Sequence, residues 1–366
     1  MAIAKAVQNA LAGSSMIRKM FEEGRELKKK YGAAKVFDFS IGNPDLEPPP
    51  AFHQVLLRLA GEDEKGSHGY MANPGFPEVR EAIARKASRE QGVELGGEHI
   101  IMSVGAAGAL NVILKTILNP GDEIIVSSPY FMEYGAYAAN HGGVLVSVDS
   151  KDDFNLDVAS IAGALTERTA AVLINSPHNP TGRVYPRETL EELAGALRAQ
   201  GKKTGRKPFL VSDEPYREIA YDGIEVPPVL AVYEESMIAT SYSKNLSLPG
   251  ERIGYAAVNP KAEGIDELLA GLIYATRVLG YVNAPALMQR AVARLTEEKA
   301  AVAVYAARRD AFMEILKETG IEYAPGEGTF YLFCKVPQRK KDGPSEDSDF
   351  TAHLKKHLIL GVPGSS

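Results

Sequence analysis

The chain has 366 residues, 45% hydrophobic and 24% charged, a balance that supports a sizeable core shared by two or three domains. Its net charge of −6 offers no field for a polyanion, which argues against nucleic acid or an anionic membrane as a partner. Cys334 is the single cysteine, so no internal disulfide forms. The N-terminus lacks the apolar run of a signal peptide, and no stretch approaches the ~20 apolar residues that cross a bilayer. A cytoplasmic enzyme is expected.

In chain order, residues 7–30 read as a long helix. Short apolar runs then follow at 35–39, 100–104, 123–127, 144–148, 170–175, 209–213, 237–241 and 253–258. Several are nearly all apolar, the signature of parallel strands buried on both faces. Amphipathic stretches at 77–91, 187–199 and 264–280 alternate with them, which predicts an α/β sheet covered by helices on both sides. Residues 284–319 read as one further helical pattern and 330–336 as a strand. A hydrophilic loop at 338–349 and a last helix near 350–357 complete the chain. The basic runs Lys28-Lys29-Lys30 and Lys202-Lys203 are solvated helix ends. A large central domain over 46–280 and a smaller one built from 1–45 and 281–366 are expected.

Four motifs carry chemistry. Ser241-Tyr242-Ser243-Lys244 follows an apolar strand and precedes Gly250, Arg252 and Gly254. A lysine partly removed from water has a lowered pKa, and its free amine condenses with an aldehyde. Two serine hydroxyls and an arginine nearby suit a phosphate dianion. An amine of this kind beside a phosphate site points to pyridoxal 5'-phosphate (PLP), a phosphorylated aldehyde. Asp213-Glu214-Pro215-Tyr216 also follows an apolar run, and ligands of open α/β sheets bind at the carboxyl ends of strands. There Asp213 would keep a pyridine nitrogen protonated, and Tyr216 would reach the ring's phenolic oxygen; a helix N-cap is the competing role for Asp213.

Asn175-Ser176-Pro177-His178-Asn179-Pro180-Thr181-Gly182 is either a plain turn or a loop that aims the Asn179 amide at the phenolic oxygen. His178 has no sequence neighbour to act with and reads as structural. Val104-Gly105-Ala106-Ala107-Gly108 is a strand-to-helix turn whose backbone N–H groups suit an anion. Tyr130 is a ring available for stacking, or a core aromatic. Cys334 reads as a buried strand residue.

These motifs resemble those of the class I/II PLP-dependent aminotransferases of fold type I, the aspartate aminotransferase family. The Ser-x-Ser-Lys…Gly-x-Arg-x-Gly pattern, Asn-Pro-Thr-Gly and Asp-x-x-Tyr stand here in the family's order, over nearly the whole chain. The resemblance implies a large domain with a mostly parallel seven-stranded sheet flanked by helices, plus a smaller α+β domain from both termini. It makes Lys244 the Schiff-base lysine and proton shuttle, Asp213 the partner of the pyridine nitrogen, and Asn179 and Tyr216 the partners of the phenolic oxygen. Ser241, Ser243, Arg252, Ala106 and Ala107 bind the phosphate, and Tyr130 stacks on the ring. Gly42 matches a substrate-side glycine loop, and Asn179 is assigned to the substrate as well. Tyr70 reaches the phosphate of a neighbouring subunit, and Asn283 holds another interface position, so a homodimer is implied.

The implied reaction moves an amino group between an L-amino acid and a 2-oxo acid by a ping-pong route. Two other readings share the same cofactor contacts: another fold type I PLP reaction such as a C–S β-lyase, and a PLP-binding regulatory domain without turnover. No metal site is expected. The family carries a carboxylate-clamping arginine after a segment like Gly361-Val362-Pro363-Gly364-Ser365; the sequence runs to Ser366, and no residue is assigned that role. Arg277, considered for a second substrate carboxylate, is out of register.

Overall fold

The computed structural model describes residues 3–5, 7, 8, 11, 15–40, 42–62, 65–337 and 346–365. Parts of the expected helix over 7–30 and most of the loop over 338–349 lie outside the described residues, as do Ile41 and Ser366. By its contacts the chain divides into two compact units, Pro44–Asp310 with Ala324–Leu332, and Met1–Asn43 with Ala311–Tyr323 and Phe333–Ser366.

The strands are β1 Phe37–Asp38, β2 Ile100–Ser103, β3 Glu123–Ser128, β4 Val144–Asp149, β5 Thr169–Asn175, β6 Phe209–Asp213, β7 Ser236–Ser241, β8 Gly254–Val258 and β9 Ile359–Leu360. Those from β2 to β8 form one seven-stranded sheet in the order β2-β8-β7-β6-β5-β3-β4. The sheet is mostly parallel; β8 alone runs against its neighbours β2 and β7. All seven residues of β5 are buried, as the unbroken apolar run anticipates. On one face, helices Gly105–Ile117 and Ile265–Val278 pack Leu110, Ile113, Leu114 and Leu272 against Ile124, Leu173 and Val211. On the other, Ile161 of Val158–Ala164 and Leu190, Leu193 and Leu197 of Arg187–Thr204 cover Ile125, Val172 and Leu210. A third cluster joins Leu59, Ile83 and Val292 from helices Pro50–Gly61, Pro77–Gln91 and Ala286–Ala293.

Two sequence expectations change. The helical pattern over 284–319 is two helices, Ala286–Ala293 and Val302–Thr319. The chain turns between them, with Leu295 held in the core and Arg294 paired to Glu62 at 2.6 Å. The strand expected over 330–336 does not form, apart from an isolated bridge between Tyr323 and Cys334. Just before it, Gly328 forms a second isolated antiparallel bridge, with Ala220, through the Thr329 amide on the Ile219 carbonyl and the Tyr221 amide on the Glu327 carbonyl, and the pairing goes no further.

In the terminal unit, β1 pairs with β9 in parallel. Lys28 in the last turn of helix Ser15–Tyr31 binds Asp38 at 2.7 Å, and Asp38 also accepts from the Ser40 hydroxyl. Among the described residues no helix is long and apolar enough to cross a membrane.

The sheet's registers decide where the motifs meet. Asn175 is opposite Asp213, and Asp213 is opposite Ala239, so β5, β6 and β7 finish at one edge. Because β8 is reversed, its first residue, Gly254, is opposite both Ser241 and Ser103, at that same edge. A Cβ on Gly254 would stand 2.3 Å from the Thr240 carbonyl oxygen and 2.9 Å from the Gly105 Cα. Gly254→Ala is therefore expected to cost about 1–3 kcal/mol of stability by overpacking, read as a lower urea midpoint at unchanged slope.

Candidate active site

The turn after β2 begins helix Gly105–Ile117. Its N-cap residue, Val104, makes no side-chain cap hydrogen bond, so the first helical amides are not capped by it. Gly105 has φ +83°, and a Cβ on it would stand 3.0 Å from an Arg252 guanidinium nitrogen. Arg252, itself left-handed at φ 51°, donates to the carbonyls of Pro249 and Val104 at 3.1 and 3.2 Å. A positive side chain thus lies against an uncapped helix N-terminus carrying Ala106 and Ala107, a setting that favours an anion. Ser241 and Ser243 are buried at the end of β7 and in the short turn Tyr242–Asn245. The Ser241 side chain does not cap that turn.

Asp213 is the last residue of β6 and is buried. No helix starts at Asp213, which removes the capping role. Its Oδ2 accepts from the Tyr134 hydroxyl at 2.8 Å, while its Oδ1 is buried without a hydrogen-bond partner. Burial pushes the Asp213 carboxyl up to about 7; the Tyr134 bond opposes this and the neighbouring Glu214 charge adds to it. Asn175 donates to the Asp213 carbonyl at 2.7 Å and accepts the Asn179 amide at 2.6 Å, so one side chain ties the two motifs together.

Lys244 lies in the turn Tyr242–Asn245. Its Nζ is 5.7 Å from the Tyr216 ring centre and 5.3 Å from that of Phe330. Burial in this aromatic wall, and then the Arg252 charge, bring the Lys244 amine down to about 8. The Tyr216 hydroxyl pairs with that of Tyr331 at 2.9 Å.

The remaining positions vary. Tyr130 is partly buried and packs on the sheet core. His178 is buried, pairs with the Thr181 hydroxyl at 2.8 Å and is driven down to about 4 by burial, so it is neutral and structural. Cys334 is half-buried, and burial raises its thiol to about 11. Tyr70 is 95% exposed. Asn283 donates to the carbonyls of Met71 and Ala72, tying down the segment after Tyr70. Gly42 belongs to the terminal unit. Arg277 is exposed on helix Ile265–Val278 and stacks on Tyr274. Tyr134, Phe330 and Tyr331 are not singled out by sequence reading. Tyr134 has no motif of its own, and the aromatic pair is concealed in an apparent strand.

A family model described as aminotransferase class I and II matches residues 34–365. The chain belongs to the class I and II aminotransferases. It is 34% identical to an aspartate/prephenate aminotransferase of Thermus thermophilus over 299 residues, 80% of this chain and 74% of the relative. An aspartate aminotransferase of a Bacillus species is 29% identical over 353 residues, 90% of this chain and 84% of the relative. A crystal structure of an aminotransferase from Eubacterium rectale superposes with a TM-score of 0.94 at 34% identity, covering all of this chain and 91% of that one. The Thermus thermophilus aspartate aminotransferase with maleate gives 0.85 at 28% identity, covering all of this chain and 92% of the other. The protein is thus a PLP-dependent aminotransferase of fold type I, a transferase acting on amino acids and 2-oxo acids.

The residues present fit the cofactor. Asp213 Oδ1 is a buried acceptor with no donor, which a protonated ring nitrogen satisfies. The uncapped helix start beside Arg252 supplies donors and positive charge for a phosphate. The lowered Lys244 amine is a nucleophile for an aldehyde.

The cofactor-free chain should record the strain at Asp213. Its folded pKa, about 7, is raised above the ordinary 3.8, so its contribution to stability is fully present below the lower value and is lost as pH rises through the upper one. Asp213→Asn is expected to leave stability nearly unchanged at about pH 4 and to increase it by on the order of 2–4 kcal/mol at about pH 8, measured by urea unfolding without cofactor.

Proposed function

We propose that this aminotransferase works through Lys244, Asp213 and Tyr216, with the cofactor held by Asn179, Tyr130, Ser241, Ser243, Arg252 and the backbone at Ala106 and Ala107. PLP, when bound, supplies a carbonyl for the lysine and a ring that accepts electrons from the substrate carbon. Lys244 Nζ, as free amine, takes the proton from the substrate α-carbon and later returns it. Asp213 Oδ1 holds a proton on the ring nitrogen by charge and hydrogen bonding. Asn179 and Tyr216 bond the ring's phenolic oxygen, with Tyr331 orienting the Tyr216 hydroxyl. The observation that carries the reading is the buried, unpartnered Asp213 oxygen at the strand edge where the lysine motif also ends.

The same reading assigns Gly42, with Asn179, to the substrate side. It makes the enzyme a homodimer in which Tyr70 serves the partner's phosphate. Support comes from Tyr70 itself, which is 95% exposed in the single chain although the segment after it is pinned by Asn283. A cytoplasmic site fits a chain with one cysteine.

For substrate, the names of the relatives make aspartate the first donor to test. One observation favours a second reading. Glu133, next to Tyr134, has a buried Oε2 without a partner, and its charge acts on Tyr137 and Tyr331. Burial raises the Glu133 carboxyl above the usual carboxylate range, and its unpartnered oxygen is an acceptor that suits a donor on a neutral or basic substrate side chain better than a second carboxylate. Release of 2-oxo acid from a panel of amino acids decides between the two: fastest turnover of aspartate supports the first, of a neutral or basic amino acid the second.

Lys244→Ala should bind PLP yet lose at least ~10³-fold in turnover, because one amine serves both as attachment point and as proton carrier. Asp213→Ala should lose roughly 10²–10³-fold. Wild-type rates of 2-oxo acid release in either variant would refute the assignments.

A further inference from the structure

Behind the catalytic residues is a cavity of about 20 Å³, whose lining includes Glu90, Glu214, Tyr242, Asn245 and Tyr255. It flanks both key motifs, since Glu214 follows Asp213 and Tyr242 and Asn245 bracket Lys244. Three buried polar atoms of its lining lack a hydrogen bond of normal length: Glu214 Oε1, Tyr242 Oη and Asn245 Oδ1; the Ser212 hydroxyl, itself otherwise unpartnered, also acts on the Glu214 carboxylate from outside the lining. Glu214 and Tyr242 are each only 2% exposed. The other atoms of the cluster are well paired. Glu214 Oε2 accepts from Gln91 at 2.8 Å and Arg217 at 3.1 Å, and Glu218 Oε1 accepts from Lys86 at 2.6 Å and Asn245 at 2.8 Å.

The size and the lining together specify the occupant. A space above ~10–15 Å³ with two to four polar partners holds a water molecule, and this one offers three such partners. Lys86, Glu90 and Glu218 also line an open groove along 296–303, so the cavity and the groove share these side chains as a wall.

We propose that this cavity holds ordered water bridging Glu214, Tyr242 and Asn245, and that Glu214, kept ionised by that water, is a positioning residue that strengthens the hold of Asp213 on the protonated ring nitrogen. The proposal rests on the site assignment made above and extends it. The charged and titratable groups facing Glu214 are Lys86 and Arg217 on the positive side, and Glu90, Glu218 and Asp213 on the negative; Tyr242 and Tyr255 add phenols. Burial is the largest cause raising Glu214 above the usual carboxylate range, and bound water reduces that cause. Glu214 directly follows Asp213 at the end of β6, and its charge in turn pushes Asp213 up. A second negative charge behind Asp213 deepens the potential for any cation it meets.

Two measurements test this on the PLP-loaded enzyme. A high-resolution crystal structure is expected to show water within hydrogen-bonding distance of Glu214 Oε1 and Tyr242 Oη; a dry cavity overturns the proposal. The visible absorbance of the bound cofactor, titrated with pH, is expected to move to lower pH by roughly half to one unit in Glu214→Gln, with Glu214→Asp restoring most of the shift. Tyr242→Phe, which removes a water partner and no charge, should shift it less in the same direction. An unmoved titration in folded Glu214→Gln overturns the role of Glu214. If that variant does not fold, an unmoved titration in Tyr242→Phe does so instead. A chain that binds no PLP would refute the site assignment alone, and water in its cavity would still decide the present point.

Discussion

A carboxylate at the buried end of a parallel strand is costly unless a donor or a cation meets each oxygen, and at Asp213 only Oδ2 is met, by Tyr134. The rest of the site is organised around that unfinished pair. Asn175 fixes the Asp213 backbone and the Asn179 loop with one amide, so the two motifs cannot move independently. Folding without cofactor tolerates the cost because the carboxyl can stay protonated up to about pH 7. A ligand that brings a proton on a ring nitrogen turns that penalty into affinity.

The reversed strand β8 has a comparable organising effect on the anion side. In an all-parallel sheet, the residue preceding a strand lies at the amino edge, away from ligands bound at the carboxyl edge. Reversal brings the start of β8 to the carboxyl edge instead, opposite Ser241 and Ser103. Arg252, two residues earlier, therefore reaches the Val104 carbonyl at the head of helix Gly105–Ile117. The two glycines at this crossing, Gly105 and Gly254, leave the room that the approach needs.

Much of this was legible in the sequence because it depends on strand ends. Buried parallel strands read as unbroken apolar runs, so their last residues, Asn175, Asp213 and Ser241, are identifiable, and chemistry follows them directly. The hidden parts depend on contacts between distant segments. Tyr134 meets Asp213 across 79 residues, and Tyr331 meets Tyr216 across 115. No local pattern encodes either pair. The aromatic run at 330–333 misleads for a further reason: it has strand composition, but the pairing just before it is a single bridge, Gly328 with Ala220, that does not extend into it. The break between helices Ala286–Ala293 and Val302–Thr319 is equally invisible, since it follows from anchoring Leu295 in a core assembled elsewhere.

Lys244 and Asp213 are shifted toward each other's range, one down to about 8 and the other up to about 7, and burial is the first cause of both. Low polarity favours whichever form is neutral, so a single property of the site prepares an amine for attack and a carboxyl for a cationic partner. The second causes differ in their fate. The Arg252 charge that helps depress Lys244 is cancelled once an anion is held there, whereas the aromatic wall of Tyr216 and Phe330 remains. With an anion bound, the reactivity of Lys244 rests on exclusion of water by those rings. On the proposed assignment, the Tyr216–Tyr331 hydroxyl pair that fixes one of them would then serve the chemistry, although Tyr331 itself lies far from the lysine in sequence.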